Sequence, residues 1–511
     1  MFFDYTKIKA HLGILILKGA FVLLAFPVYA QYNYSENCLK AYDAVLELNF
    51  AGARQFIAAE RSHDPSNLVP LSLENYIDFL TLFIGEERSR YEQLKPGFLS
   101  RIDLLAKGNR ASPCYNFCLG EADLQWAFIQ LKFGDYTQAA LKIRKAHQFF
   151  TENEVLYPNF LPDKIGLGVT HFIGGIVPDS YKWIASLMGM DGTINQALEE
   201  LKSVAAYNGQ DMMFQNYRTE ALYYLAVISS SLFRNKSEAL AIIDLFNSDP
   251  RQHGPLVIYA KAGVLMKNGK NELALQLLIN RKRDPYSFPF YYLDFIEGMA
   301  RLNKLDTSSI DNFRYFTDHF RGINYIKTAW QKIGWMNFIN GDTAAYFIAM
   351  KKVMVSGSAI VDEDKQALRE AEGKQAPNLI LLKARLLFDG GYYDNALAEL
   401  LNNSTKKYLL SRQDLVEYTY RMGRIYHESG NWDKAIHYYS VTIQRGKHEP
   451  WYFAASSALQ LGLLYENRGD LARADSAYHV CLLCKPAEYK NSLSQKAKAG
   501  INRIKASRPK T

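Results

Sequence analysis

The densest cluster of reactive side chains in this 511-residue chain is His479-Val480-Cys481-Leu482-Leu483-Cys484, two thiols with an imidazole beside them. Such a group serves metal binding, haem attachment or thiol–disulfide exchange, and each use makes a further demand. Haem attachment needs a histidine directly after the second cysteine, where Lys485 stands. Exchange chemistry needs the thiols at a helix start, where the dipole stabilises thiolate. Here they fall in the last turns of a helix, where the dipole has the opposite sign, so both read as structural thiols. Gly166-Leu167-Gly168 begins a dinucleotide fingerprint, yet His171 occupies the place of its third glycine and no strand–helix alternation surrounds it. Ser404-Thr405-Lys406-Lys407 carries an S-x-x-K spacing in a loop, without the motifs that accompany it in penicillin-binding enzymes. The chain has no phosphate-binding G-x-x-x-x-G-K-[ST] loop, no H-E-x-x-H pair and no G-x-S-x-G elbow. His427 and His437 lie on different helices, as surface residues do. No catalytic constellation emerges; the expectation is a non-enzyme without cofactor or metal.

The elements that carry these residues announce themselves at bends. Gly134-Asp135-Tyr136 with Ala139, Gly391-Tyr392-Tyr393 with Ala396, and Gly430-Asn431-Trp432 with Ala435 repeat one arrangement: glycine, then a ring, then alanine. Glycine accepts the left-handed conformation that ends a helix. The ring is expected to cap the apolar interior of a helical hairpin, and the alanine to let two antiparallel helices approach closely. Units that cannot bury their faces alone must stack, so the expected fold is all-α, an α-solenoid of stacked helix-turn-helix hairpins.

Gly423, Tyr426, Gly430, Trp432, Ala435 and Tyr439, followed by Gly462, Tyr465, Gly469, Leu471, Ala474, Tyr478 and Pro486, closely resemble the tetratricopeptide-repeat family. Ala384, Gly391, Tyr393 and Ala396 extend the resemblance one unit upstream, with a corner-to-corner spacing of 39 residues against roughly 34 in the family. Gly134, Gly269 and Gly341 mark further, degenerate units, and Phe50, Ala53 and Ile57 before Asp64-Pro65 look like a second helix, making about eight hairpins in all. The chain then divides into N-terminal repeats over 31–150, a glycine-rich helical insertion over 151–205, degenerate repeats over 206–361, a regular array over 376–490 and a basic tail over 491–511. The charged run Asp362 to Glu372 looks like the boundary before the regular array. Within the insertion, Gly166, Gly168, Pro178 and Gly189 to Gly192 resemble a signature of the eukaryotic repeat family that includes the inclusion-body clearance protein, with Met190 in place of a phenylalanine. That resemblance implies a buried helical hairpin and adds nothing about activity.

In the tetratricopeptide family the first helix of each hairpin lines the concave wall. Carried over residue by residue, the resemblance implies a groove of Asn378, Arg385 and Asp389, then Glu417, Tyr420, Arg424, His427 and Glu428, then Glu466 and Asn467. Mixed charges and amides suit a protein or peptide partner held by hydrogen bonds in register; a solvated helix face would look the same. A glycan- or nutrient-binding protein of the cell envelope is the alternative, because one outer-membrane class of similar length builds on such helices. That class carries a lipidated cysteine after its signal, which this sequence lacks.

Composition bounds the rest. Hydrophobic residues at 48% and charged residues at 22% describe a folded protein. The formal charge of +8 is spread along the chain, apart from a short run near Lys505 to Lys510, and makes no nucleic-acid footprint. Five cysteines, Cys38, Cys114, Cys118, Cys481 and Cys484, are too few for a disulfide framework, though Cys38 could bridge to Cys114 or Cys118. Lys7 and Lys9 precede an apolar run, Leu12 to Phe26, and Val28-Tyr29-Ala30 offers a peptidase site before Gln31. This reads as a secretory signal over 1–30, with an uncleaved membrane anchor as the alternative. No later segment is long and apolar enough to span a bilayer. The mature chain is therefore expected in the periplasm or at the cell surface, beginning at Gln31. N-terminal sequencing of the exported product checks this, and a different first residue would remove the basis for the localisation.

Overall fold

A computed structural model describes residues 30–176, 192–232, 236–402, 409 and 411–507. The segment expected to be a secretory signal, apart from Ala30, and Pro178, Met190 and Ser404 to Lys407 lie outside them. The described residues form 24 α-helices and no β-strand, only one isolated bridge between Gln31 and Asn67. None of these helices is long and apolar enough to cross a membrane.

Eight corners share one backbone signature. A residue in the left-handed region is followed by one whose N–H bonds the carbonyl five residues back, the bond that closes a helix C-terminus. The corners stand at Leu48, Gly134, Gly269, Leu305, Gly341, Gly391, Gly430 and Gly469, and all eight bonds measure 2.8–2.9 Å. They join α1 (Glu36–Leu46) to α2 (Phe50–His63), α5 (Pro113–Lys132) to α6 (Tyr136–Leu156), and α11 (Pro255–Lys267) to α12 (Asn271–Ile279). They likewise join α13 (Tyr292–Asn303) to α14 (Ser309–His319), and α15 (Ile326–Ile339) to α16 (Thr343–Val355). The regular array has α18 (Leu379–Asp389) with α19 (Tyr393–Leu401), α20 (Arg412–Glu428) with α21 (Trp432–Gly446), and α22 (Phe453–Asn467) with α23 (Leu471–Leu483). At five corners the next residue restarts the chain as a helix: Asn49, Asp135, Asp342, Asn431 and Asp470 each accept a backbone N–H three residues on.

Packing inside the hairpins follows the small-residue pattern. Ala139, Ala396, Ala435 and Ala474 are fully buried. Gly423 and Gly462 leave room for the buried rings of Tyr439 and Tyr478, which a β-carbon would meet at 2.6 Å and 2.4 Å. Two of the three corner rings behave differently from expectation: Tyr136 and Trp432 are 41% and 49% exposed, whereas Tyr393 packs against the core. Trp432 lies on the outer edge, where Arg468 of the following unit sits 5.6 Å above its ring. It ties neighbouring corners together and leaves the interior to the alanines.

The N-terminal half departs from a simple stack. Helix α3 (Val69–Gly85) is apolar nearly all round and buried, as a central helix must be, with α4 (Arg88–Leu105) beside it. Helices α7 (Asp163–Ile176) and α8 (Ile194–Ala205), from the glycine-rich insertion, pack against each other, with Gly192 against the backbone of His171. Helices α9 (Met212–Leu232) and α10 (Lys236–Asn247) follow, and the chain then returns to its beginning. The N–H of Phe288 bonds the carbonyl of Leu48 at 2.8 Å, and Glu86 takes the backbone N–H and side-chain amide of Asn324 at 3.1 Å and 2.9 Å. Asp362 to Gly373 forms α17, whose Glu370 accepts from Trp335 at 2.7 Å and whose Asp364 caps α15; this charged run is a packed helix. Of the basic tail, Lys490–Ser507 forms α24, which buries Ala497, Ile501 and Ile504 beside Tyr478. All five cysteines are free and buried, which corrects the bridge considered for Cys38.

One pair of corners meets directly. A β-carbon on Gly391 would stand 2.1 Å from the carbonyl oxygen of Gly269, whereas one on Gly430 would meet nothing within 4 Å. Both glycines have positive φ, 81° and 76°. Gly430→Ala is therefore expected to cost only the left-handed backbone penalty, about 1–2 kcal/mol. Gly391→Ala adds a steric clash and should cost clearly more; urea unfolding of both variants checks the ranking, which equal losses would refute.

Candidate functional site

The concave wall of the regular array is built by helices whose other faces are committed to cores. Asn378 caps α18 by accepting the N–H groups of Ile380 and Leu381. Leu382 and Leu386 face the core upstream, and Leu381 and Leu387 the core downstream. Arg385 and Asp389 remain, one helical turn apart, on the inner face. A capping box of Ser411 and Asp414 starts α20, and burial of Val416, Met422 and Ile425 turns Glu417, Arg421 and Arg424 to the same side.

These residues form one network. Arg421 donates Nε to Glu417 at 2.8 Å, and Arg385 lies 3.8 Å from Asp389. Arg424 donates to the Tyr420 hydroxyl at 3.1 Å, and that hydroxyl also meets Ser456 at 3.1 Å. Aromatic rings separate the cations. Arg385 lies 5.3 Å over Trp335, Lys332 3.5 Å over the same indole, and Arg424 4.8 Å over Phe388. Tyr452 packs 5.8 Å from Tyr420 and 5.2 Å from Tyr489.

Of the ten residues expected in the groove, Arg385, Asp389, Glu417, Tyr420 and Arg424 come together. Tyr420 is buried and serves as their backing. His427 is held at 3.2 Å by Tyr439, and Glu428 sits close enough to Arg424 to raise that side chain's pKa. Glu466 is engaged by Arg503 of α24 at 2.8 Å and by Tyr478, so the last helix covers it. Asn467 is exposed at the end of α22, and Asn378 is occupied as a cap. Lys332, Trp335 and Arg421 join the site without having been anticipated. The i, i+4 pairs Arg385/Asp389 and Glu417/Arg421 were a signal for Arg421, whereas Lys332 and Trp335 are brought in by the curvature of the stack.

Charge in the groove is incompletely balanced. Lys332 finds the neutral amide oxygen of Gln331 at 2.8 Å, and Arg424 the phenol of Tyr420. The Nε of Arg424 is buried without an acceptor. Burial, reinforced by Arg385, pushes the Lys332 ammonium down to about 7. Burial alone would raise the Tyr420 phenol, but Arg424, Ser456 and Arg421 outweigh it and hold it below its usual value.

A second feature lies in the N-terminal half. Where the chain returns to its beginning it encloses a cavity of about 460 Å³, lined by α1, α3, α5, α7, α9, α11 and α13 and the loop before α15. Its walls are apolar, and the rings of Phe79, Phe83, Phe128, Phe172, Tyr223 and Tyr259 dominate them. At its margin Lys132 pairs with Glu86 and Arg251 with Asp43, and Glu47 adds a carboxyl that burial raises above its usual value. Glu220 accepts from Tyr42 at 2.7 Å; burial pushes its carboxyl up to about 7. Burial, then the proximity of Glu220, raises Glu121 well above the carboxylate range. Asp163, elsewhere in this half, is raised by burial to about 8.

These carboxyls ionise near 4.5 or below when the chain unfolds, so between there and neutrality the folded state holds more protons. Stability should therefore fall as pH rises from about 5 through about 7. Glu220→Gln deletes its own share and relieves Glu121. Its melting temperature should lose less than the parent's between pH 5 and pH 8, and equal losses would contradict the assignment. Among known proteins, no family model matches the chain and no curated sequence matches it.

Proposed function

We propose that the chain is an exported, non-enzymatic repeat scaffold of tetratricopeptide type that holds a protein partner by an extended acidic segment laid along the concave wall of the regular array. The observation that carries this reading is a row of inner cations, two of which have no carboxylate as hydrogen-bond partner. Lys332, Arg385, Arg421 and Arg424 stand on three inner helices, and the hydrogen bonds of Lys332 and Arg424 go to neutral acceptors. A partner carboxylate would supply the missing acceptors as charge-assisted bonds. The rings support polypeptide over glycan. Trp335 and Phe388 have cations over their faces, and a sugar stacks on an open ring face.

Fluorescence anisotropy with a labelled deca-glutamate peptide, and with deca-lysine as its opposite, tests the charge preference on the mature chain. Deca-glutamate is expected to bind, and the Arg385→Glu, Arg424→Glu double variant to weaken it by at least about tenfold, or 1.4 kcal/mol. Equal binding of the two peptides would reject the reading. The pH dependence has a defined sign: Lys332 loses its charge as pH rises through about 7. Affinity for the acidic peptide should therefore decline between pH 6 and pH 9, and Lys332→Met should flatten that decline.

A further inference from the structure

A smaller recess adjoins the apolar chamber. A cavity of about 20 Å³, room for one water-sized group, shares Glu220 and Tyr224 with the chamber and adds Glu121, Gln125 and Tyr217. Its lining includes two carboxyl groups and no lysine, arginine or histidine. Glu220 has Tyr42 as a donor, and the Gln125 amide oxygen is taken by Asn75 at 2.8 Å. For Glu121 neither a hydrogen bond nor a cation offsets its burial. Four tyrosine rings crowd the same place: Tyr42 lies 4.9 Å from Tyr217 and 5.8 Å from Tyr76, and Tyr224 lines both cavities.

Two carboxyls and several ring faces around a space of one heavy atom lack a single component, a small cation. Ring quadrupoles and carboxylates both attract one, most strongly where water is excluded. The chamber beside the recess matches the size and apolar character of sites that bury small ligands. We infer that chamber and recess together bind a primary amine carried on an apolar body, its ammonium group between Glu121 and Glu220 and its body against Phe79, Phe83 and Tyr223. Such a site is separate from the groove of the regular array and does not depend on what that groove holds.

Isothermal titration calorimetry of the full mature chain with 4-phenylbutylamine, 4-phenylbutanol and 4-phenylbutyrate separates head group from body. The amine is expected to bind at least about tenfold more tightly than the alcohol, a difference of 1.4 kcal/mol, and the carboxylate most weakly, because like charge opposes it. In Glu121→Gln, and separately in Glu220→Gln, amine and alcohol affinities should converge to within about twofold while the alcohol still binds. Val227→Trp, at a partly exposed chamber residue, should abolish binding of all three and so locate the site. If alcohol and amine bind the parent protein equally, the recess holds only water and the inference fails. Preference for the carboxylate, or no binding by any of the three, overturns it equally, and these outcomes need no variant to fold.

Discussion

Everything in this architecture depends on a backbone hydrogen bond that can form only when one residue turns left-handed. At each of the eight corners that residue releases the chain from a helix, and the N–H after it closes the last open turn. The strained conformation and the satisfied carbonyl are inseparable, so the angle between paired helices is set locally. Glycine serves at six corners. Leu48 and Leu305 serve at two, against the preference of any residue with a β-carbon. Leu48 is fully buried, and Leu305 packs between two cores, so apolar contact offsets what the backbone loses.

From that local rule the two halves diverge. Regular spacing over the last three glycine corners keeps successive inner helices in register, and polar side chains accumulate along one wall. Upstream, a largely apolar central helix and a closely packed pair of glycine-containing helices let the chain curl back until Phe288 meets Leu48 and Asn324 meets Glu86. Curling encloses space where stacking would leave an open surface. A groove lined by arginines and a lysine and a chamber bordered by Glu47, Glu86 and Glu220 are thus different electrostatic environments made from the same kind of helix pair.

Much of this was legible from residue order, and the boundary of legibility is physical. Gly134, Gly269, Gly341, Gly391, Gly430 and Gly469 declare their corners because no other residue takes that conformation freely. Leu48 and Leu305 look like core leucines and give no sign of their φ. The groove pairs Arg385 with Asp389 along one helix, a spacing visible in one dimension. Trp335 reaches Arg385 from another hairpin, through curvature that no local pattern encodes. The chamber was hidden for a similar reason. Tyr76, Phe79 and Phe83 share a helix with hardly a charge, which reads as ordinary core; only the return of residues 288–325 makes their surroundings a cavity. A charged segment, Asp362 to Glu372, looks like a boundary, and in the fold its Asp364 and Glu370 are hydrogen-bond acceptors for the preceding hairpin.

The last helix, α24, lays Ala497, Ile501 and Ile504 over the final hairpin while Arg503 grips Glu466. A repeat array ends naturally in a bare apolar face, the surface on which another molecule would add itself. With Ala497, Ile501 and Ile504 packed on that face and Arg503 on Glu466, contacts that a following hairpin would make are here made by a single helix.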